Sequence, residues 1–259
     1  MDAAYQFLNG WADRIFVVSL ERAVERRARV GERLAGLRYE LFPAVDKLAL
    51  DRERLFREGT WDERRTRRAF RHRAQMPMGQ IACSLSHRAI YEAVVRNGWR
   101  RVVVFEDDVV PIPEGLSAVP AALGQLPPDW ELCYLGYFGN REIPARARLR
   151  QALYVALAPL GLVRWRPGEA TRLLPRPFSL NLRRAGRHMC THAYAVTAAG
   201  ARKLLAAQTP VAYHADQAIV SLVLGGKLNA FVTHPMAFDQ EVFAGVEVAP
   251  GTPASYIHG

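Results

Sequence analysis

The sequence predicts an α/β protein whose mostly parallel central sheet is flanked by helices. Apolar, β-branched runs alternate along the chain with segments of helical periodicity. The first run, residues 14–20, precedes a helical segment and a second short run at 39–45, which together form a βαβ unit. With 259 residues, half of them hydrophobic, the chain can bury a sizeable core. We expect one domain over residues 1–240, with a basic insertion near 141–187, and a C-terminal tail over 241–259.

The remaining elements follow from apolar patterning and from capping residues. Thr197 is a good N-cap for a helix, and Gly98 is a good C-cap. Residues 141–187 carry many Arg and Pro residues, a pattern typical of a long insertion or lid. Helices are predicted over 24–37, 78–97, 198–208 and from Asp216 to 225–226, and strands over 101–106, 130–135, 192–196 and 228–233.

Three consecutive acids end the most apolar strand. Residues 102–105 form an unbroken apolar run, which predicts a strand buried on both faces, as in a parallel sheet. Glu106, Asp107 and Asp108 then lie at the carboxyl end of a central strand, where open α/β sheets place ligands. Two carboxylates about 4 Å apart repel by roughly 4 kcal/mol at an effective dielectric near 20. A hard divalent cation would remove that cost; the alternative is a solvated acidic turn.

The overall charge favours acidic partners. A formal charge of +10 is typical of proteins that bind nucleotides, phosphorylated lipids, anionic membranes or nucleic acid. Three widely spaced cysteines without a CxxC pair argue against a zinc site or a disulfide framework, and fit a reducing compartment. The sequence contains neither G-x-G-x-x-G nor a Walker motif. We expect no secretory signal and no membrane span.

A second basic stretch covers residues 61–73, where arginines are interleaved with Trp61 and Phe70. We predict that this stretch is a solvated helix face or a mobile loop. The functional alternatives are contact with an anionic membrane surface, a phosphorylated acceptor or nucleic acid.

Five motifs occur in order along the chain. They are residues 15–20 with Arg22 and Arg26, residues 42–46, residues 79–87, residues 103–109, and residues 193–194 with 200–204. Together they resemble glycosyltransferase family 25, whose bacterial members include lipooligosaccharide galactosyltransferases. The resemblance covers roughly residues 14–240, and its most specific part is the Ser-His helix followed about twenty residues later by Glu-Asp-Asp. Ser19, Lys47, Gln80 and Ala82 depart from the family pattern.

The resemblance implies a GT-A-like, Rossmann-type domain that transfers a hexose with inversion. The donor it implies is UDP-galactose or a related UDP-hexose, held with Mn²⁺ or Mg²⁺. The implied acceptor is a saccharide or glycolipid of lipopolysaccharide, lipooligosaccharide or another cell-envelope glycan. We expect a cytoplasmic enzyme, with peripheral contact with the anionic inner face of the cytoplasmic membrane as a further partner. No nucleic acid is expected, and the oligomeric state stays open.

The resemblance also suggests roles for individual residues. Asp216 is the first choice for the catalytic base, ahead of Asp239 and Glu241, although an acid at a helix N-terminus often only interacts with the dipole. His87 either faces the ligand or packs, and His234 either binds metal or is an ordinary loop residue. The expected metal ligands are Glu106, Asp108 and His234, and the expected nucleotide site comprises Val18, Ser19, Arg22, Arg26, Asp46, His87, Glu106 and Asp107.

Two rival functions stay open. The basic 61–73 stretch fits an enzyme that processes nucleic acid by two-metal chemistry. The departures at Lys47 and Gln80 fit a non-catalytic, membrane-associated protein of the same fold.

Overall fold

The computed structural model describes residues 2–70 and 76–245. Residues 71–73 of the predicted basic stretch and residues 246–259 of the predicted tail lie outside this range. The first half contains α1 (Asp2–Trp11), β1 (Arg14–Ser19), α2 (Val24–Arg33), β2 (Glu40–Pro43), α3 (Arg52–Arg57), α4 (Glu63–Phe70), α5 (Met78–Asn97), β3 (Arg101–Glu106), β4 (Val109–Pro111) and α6 (Pro113–Gly124). The second half contains β5 (Leu132–Phe138), α7 (Ala145–Leu157), α8 (Pro167–Ala170), β6 (Arg176–Pro177), β7 (Leu182–Arg184), β8 (Met189–Thr197), α9 (Ala198–Ala207), α10 (Ala215–Leu224), β9 (Ala230–Thr233), β10 (Phe238–Gln240) and α11 (Glu241–Ala244).

The α/β class is confirmed. The strands form one sheet in the order β2-β1-β3-β8-β5-β9-β7-β6, and β10 joins β5 to β4. Within the central run from β2 to β9, five strands share one direction and β8 runs against both of its neighbours. The apolar run of β3 is fully buried as predicted. The predicted parallel pairing of β3 is found on one side only. Strand β1 pairs with it in parallel, whereas β8 pairs with it in the antiparallel sense.

Alternate residues of β3 serve two cores on opposite faces of the sheet. Val103 and Phe105 pack with side chains of α1, α2 and α6. Val102 and Val104 pack with side chains of α5, α9 and α10. Helices therefore cover β3 on both faces, and the three acids lie where the strand ends.

Local chemistry explains where the predicted helices stop and start. Gly98 has φ +69° and caps α5, and the side chain of Thr197 accepts a hydrogen bond from the Gly200 amide to begin α9. Several helices are not predicted from the sequence, among them α1, α3, α6 and α7. Helix α6 begins with Pro113 and contains Pro120, and prolines there hide a helix from pattern reading although the first turn tolerates them.

The basic segment 141–187 is partly built into the sheet. It contains α7, a 3₁₀ turn at Ala158–Leu160, and α8, and it ends in β6 and β7. Strand β7 pairs with β9, so this end of the segment extends the sheet. The domain boundary at residue 240 stays a prediction, although α11 continues the ordered chain beyond it. In the part of the chain that the structure describes, no helix is both long and apolar enough to cross a membrane.

Candidate functional site

A cleft opens where β1 and β3 end side by side. Val18 of β1 lies opposite Glu106 of β3, so the parallel register brings both strand ends to one edge. Helix α2, residues 44–47 and the first turns of α5 complete the walls. Seven of the predicted nucleotide-site residues line this cleft: Val18, Ser19, Arg22, Arg26, His87, Glu106 and Asp107.

Both carboxylate oxygens of Asp107 accept hydrogen bonds, one from β1 and one from α2. Ser19 Oγ donates to Asp107 Oδ2 at 2.8 Å, and Arg26 Nη1 donates to Oδ1 at 3.0 Å. Arg27 Nε lies 3.3 Å from Ser19 Oγ and donates to it. Burial raises the pKa of Asp107, while the Arg26 charge opposes that rise. Asp107 therefore fastens α2 to the end of β1, and its charge is compensated within the protein.

Glu106 points to the other side, toward α5 and β8. Thr191 Oγ1 donates to Glu106 Oε1 at 2.5 Å, and His87 Nε2 lies 3.3 Å from the same oxygen. A carboxylate only accepts, so His87 Nε2 donates to Glu106, and His87 Nδ1 lies 2.9 Å from the Tyr194 hydroxyl. Burial is the largest single influence and would raise the pKa of Glu106, but the hydrogen bonds from His87 and Thr191 and the electrostatic attraction of His87 together outweigh it, and the pKa is lowered.

Asp108 is the least compensated of the three acids. Its carboxylate meets only the amide Nε2 of Gln240, at 3.3 Å, and forms no salt bridge within the described chain. Burial, followed by the charges of Glu106 and Asp107, raises the pKa of Asp108 to about 7. Its backbone oxygen accepts from the Glu241 amide, which holds the turn after β3. A cation placed beside Asp108 would therefore relieve an existing electrostatic strain.

The residues present fit a hard divalent cation better than a soft one. Glu106 and Asp108 offer carboxylate oxygens, which suit Mg²⁺ and Mn²⁺. Ligand atoms of Cys83, His87 and Glu106 also lie within 4.8 Å of one another, a set that would suit Zn²⁺. Burial strongly raises the pKa of Cys83, and both nitrogens of His87 already have partners. The oxygen set is the better candidate.

Asp46 acts through Arg22. Arg22 Nε donates to Asp46 Oδ2 at 2.5 Å, and the Leu48 amide donates to the other carboxylate oxygen at 3.0 Å. The hydrogen bond from Arg22 is the main reason that the pKa of Asp46 is lowered. The predicted nucleotide-site residue Asp46 thus orients an arginine of the cleft wall.

The three base candidates differ in how they are neutralised. Asp239 receives two hydrogen bonds from Arg141, and Glu241 receives one each from Arg29 and Arg33. Asp216 lies in the first turn of α10, and its Oδ2 accepts from the Cys190 amide at 3.2 Å. Burial raises the pKa of Asp216, and the Glu106 charge adds to the rise. Only Asp216 of the three combines proximity to Glu106 with the absence of an arginine partner among the described residues.

His234 lies in a different place. Its Nε2 accepts from Arg183 Nη2 at 2.7 Å, in a second cleft that Arg141, Arg148 and Arg176 also line. Desolvation, followed by the Arg183 charge, lowers the pKa of His234. The structure therefore places this predicted metal ligand in a cationic cleft that Glu106 and Asp108 do not line.

Sequence reasoning missed several residues that shape the site. Thr191 and Tyr194 reach Glu106 and His87 from β8, and Gln240 reaches Asp108 from β10. Cys190 carries a non-glycine φ of +71°, which turns its amide toward Asp216. Only Tyr194 had a sequence signal, as part of the 193–194 motif.

Comparisons with known proteins agree with this geometry. The sequence model described as "Glycosyltransferase family 25 (LPS biosynthesis protein)" matches residues 12–122, which include β1, α5 and the three acids. A "Glycosyltransferase 25 family member" of Drosophila melanogaster is 42% identical over 100 residues, 38% of this chain and 16% of that protein. The chain belongs to glycosyltransferase family 25.

Other family 25 relatives extend the match. A "Glycosyltransferase 25 family member" of Anopheles gambiae is 35% identical over 130 residues, 47% of this chain and 21% of that protein. The "Inactive glycosyltransferase 25 family member 3" of Mus musculus is 32% identical over 205 residues, 76% of this chain and 29% of that protein. The family 25 match thus spans less than a third of each of these relatives, one of which bears the word inactive in its name.

Proposed function

We propose that this family 25 protein transfers a hexose from a UDP-sugar to a saccharide or glycolipid acceptor, with inversion. The observation that carries the proposal is the Asp108 carboxylate, which has no salt bridge among the described residues and follows Glu106 at the end of β3, next to a cleft that Arg22 and Arg26 line. Glu106 and Asp108 would hold Mn²⁺ or Mg²⁺, which when bound supplies Lewis-acid stabilisation of the departing diphosphate. His234 is not part of this proposed ligand set, because it pairs with Arg183 in the other cleft.

The walls of the cleft supply the remaining binding groups. Arg22 and Arg26 present guanidinium groups for phosphate oxygens, and Asp46 and Asp107 fix their positions. Val18 and Ser19 offer strand-end backbone to the uracil or ribose. His87 keeps Glu106 ionised and oriented through its Nε2 hydrogen bond.

Asp216 is the proposed base for the acceptor hydroxyl. A general base works best when its pKa lies near the working pH, and burial moves the pKa of Asp216 upward. The backbone amides of Cys190 and Gln217 donate to this carboxylate and fix its position in the first turn of α10.

The proposed setting is cell-envelope glycan synthesis in the cytoplasm, with galactose as the first donor sugar to examine. The words "LPS biosynthesis protein" in the family description support that setting. Membership of a glycosyltransferase family argues against the nucleic-acid-processing alternative. The non-catalytic alternative is kept, because the mouse relative is named inactive.

Calorimetry and a donor screen test the proposal. UDP is titrated into the protein with and without Mn²⁺, and UDP release is then measured from UDP-Gal, UDP-Glc, UDP-GlcNAc and UDP-Xyl. We expect metal-dependent binding heat and turnover with one donor. Binding heat without turnover of any donor would favour the non-catalytic alternative, and no heat at all would overturn the nucleotide site.

A further inference from the structure

Most of the excess positive charge is concentrated in one segment. Residues 141–187 contain eleven arginines and two glutamates, a net charge of +9, whereas the whole chain carries +10. Arg146, Arg148 and Arg150 are exposed on α7, and none of them forms an ion pair with a described carboxylate. Charges left without internal partners are available to an external one.

Helix α7 also exposes large apolar side chains. Leu149 is 74% exposed and Leu153 54%, and beyond the helix Leu160 is 69% and Leu162 68% exposed. These leucines do not face the protein, because α7 is held by its other side. On that side Gln151 donates to the Ala170 backbone oxygen at 3.0 Å, and Tyr154 packs against a buried cluster containing Leu173.

The apolar and basic residues are sorted around the helix axis. At 3.6 residues per turn, the outward apolar residues fall within an arc of about 100°. Arg146 and Arg150 border one edge of this arc, and Arg148 borders the other. The outward stripe consists of Ala145, Leu149, Ala152, Leu153, Ala156 and, by continuation, Leu160.

We propose that α7 and the turn after it, residues 145–162, form a docking surface for an anionic lipid bilayer. An apolar stripe with arginines on both flanks matches a helix that lies in the plane of a membrane interface, with leucines among acyl chains and guanidinium groups among phosphates. The inference does not depend on the donor, the metal or the catalytic base. It moves the expected membrane contact from residues 61–73 to α7.

The charge pattern argues against other occupants. A symmetric contact with a second copy would place the arginines of one α7 near those of the other. Nucleic acid would pair with arginines but would leave the leucines in water. A bilayer with acidic headgroups satisfies both kinds of side chain.

Vesicle co-sedimentation of the full chain tests the proposal. The probes are vesicles of phosphatidylcholine alone and of phosphatidylcholine mixed equally with phosphatidylglycerol. We expect binding to the mixed vesicles only, weakening as salt rises. The Leu149→Gln/Leu153→Gln variant should bind the mixed vesicles at least about tenfold more weakly than the unmodified protein. Leu41→Gln, a half-exposed leucine on β2 at the opposite edge of the sheet, should bind like the unmodified protein.

Further measurements keep the test decisive. Thermal unfolding checks that the double variant is folded, and Leu160→Gln/Leu162→Gln, outside the helix, replaces it if it is not. Equal binding to neutral vesicles, no binding to mixed vesicles, or unimpaired binding by the leucine variants would each overturn the proposal. So would sedimentation showing that the same leucines hold a dimer together. UDP release without lipid, measured on the same variants, should stay unchanged.

Discussion

The acid-tipped cleft and the arginine-rich segment 141–187 handle charge in opposite ways. In the cleft, Asp107 and Asp46 each meet an arginine, and Glu106 meets a histidine and a threonine. On α7, exposed arginines have no carboxylate partner among the described residues. Side-chain charges that internal partners hold in place can position a small ligand. Exposed charges without such partners are suited to an extended anionic surface. Asp108, in the turn after β3, is the exception, because it has no salt bridge among the described residues, and it is the proposed ligand for the cation.

The largest expected effect tests that exception. Asp108→Asn keeps the shape of the side chain and removes its charge, so the proposed metal loses a ligand. We expect metal-dependent UDP release to fall by about a thousandfold. Stability should not fall, because the substitution removes the charge that repels Glu106 and Asp107. Unchanged turnover with Mn²⁺ would remove Asp108 from the site.

Substitution of the adjacent acid, Asp107, should have the opposite effect on stability. The Arg26–Asp107 pair is nearly buried, with 11% and 10% of the two side chains exposed. Asp107→Asn removes the carboxylate that pairs directly with the Arg26 guanidinium, and we expect the free energy of unfolding to fall by about 3 kcal/mol. Urea denaturation of both Asn variants measures the contrast. Equal stability of the two would mean that Asp107 and Asp108 are not compensated differently.

A third effect, on the pH dependence of stability, is expected at His188, directly after the arginine-rich segment 141–187. His188 precedes β8, and its Nδ1 donates to the Gly139 backbone oxygen at 3.0 Å, while its buried Nε2 has no hydrogen-bond partner among the residues that the structure describes. Burial lowers the pKa of His188 to about 4. The unfolded chain therefore binds this proton first as the pH falls, and stability is lost from about pH 6.5 toward pH 4. We expect His188 to contribute a loss of about 2 kcal/mol between about pH 7 and pH 5.

Comparing the unmodified protein with His188→Gln by urea denaturation at both pH values isolates this contribution. Asp108 acts with the opposite sign, because its raised pKa favours the folded state at low pH, and it is common to both proteins. Parallel pH profiles would show that His188 is not neutral in the folded state.

The smallest effect is expected on α7. Arg148→Gln removes an exposed charge without an ion-pair partner in the described chain, so the free energy of unfolding should change by less than about 0.5 kcal/mol. Urea denaturation measures this beside Asp107→Asn. A loss of several kcal/mol would show that the arginines of this segment are structural.

The sequence predicted the fold class and the cleft better than it predicted the partners within the cleft. Residues 15–20 and 101–106 are local apolar runs, so their strands and shared edge followed directly. Thr191 lies 85 residues from Glu106, and Gln240 lies 132 residues from Asp108. Such contacts depend on β8 and β10 entering the sheet, and no local pattern encodes that. The position of His234 after the last predicted strand suggested either a metal ligand or a loop residue, and β9 delivers it to the arginine cleft.

The position of β8 has a consequence for synthesis of the chain. Strand β3 has β1 on one side and β8 on the other, so the most apolar strand has an open edge until residues 189–197 leave the ribosome. A nascent or truncated chain ending before that point would present unpaired backbone on Val102–Phe105. Fragments covering only residues 12–122 should therefore aggregate or require a chaperone.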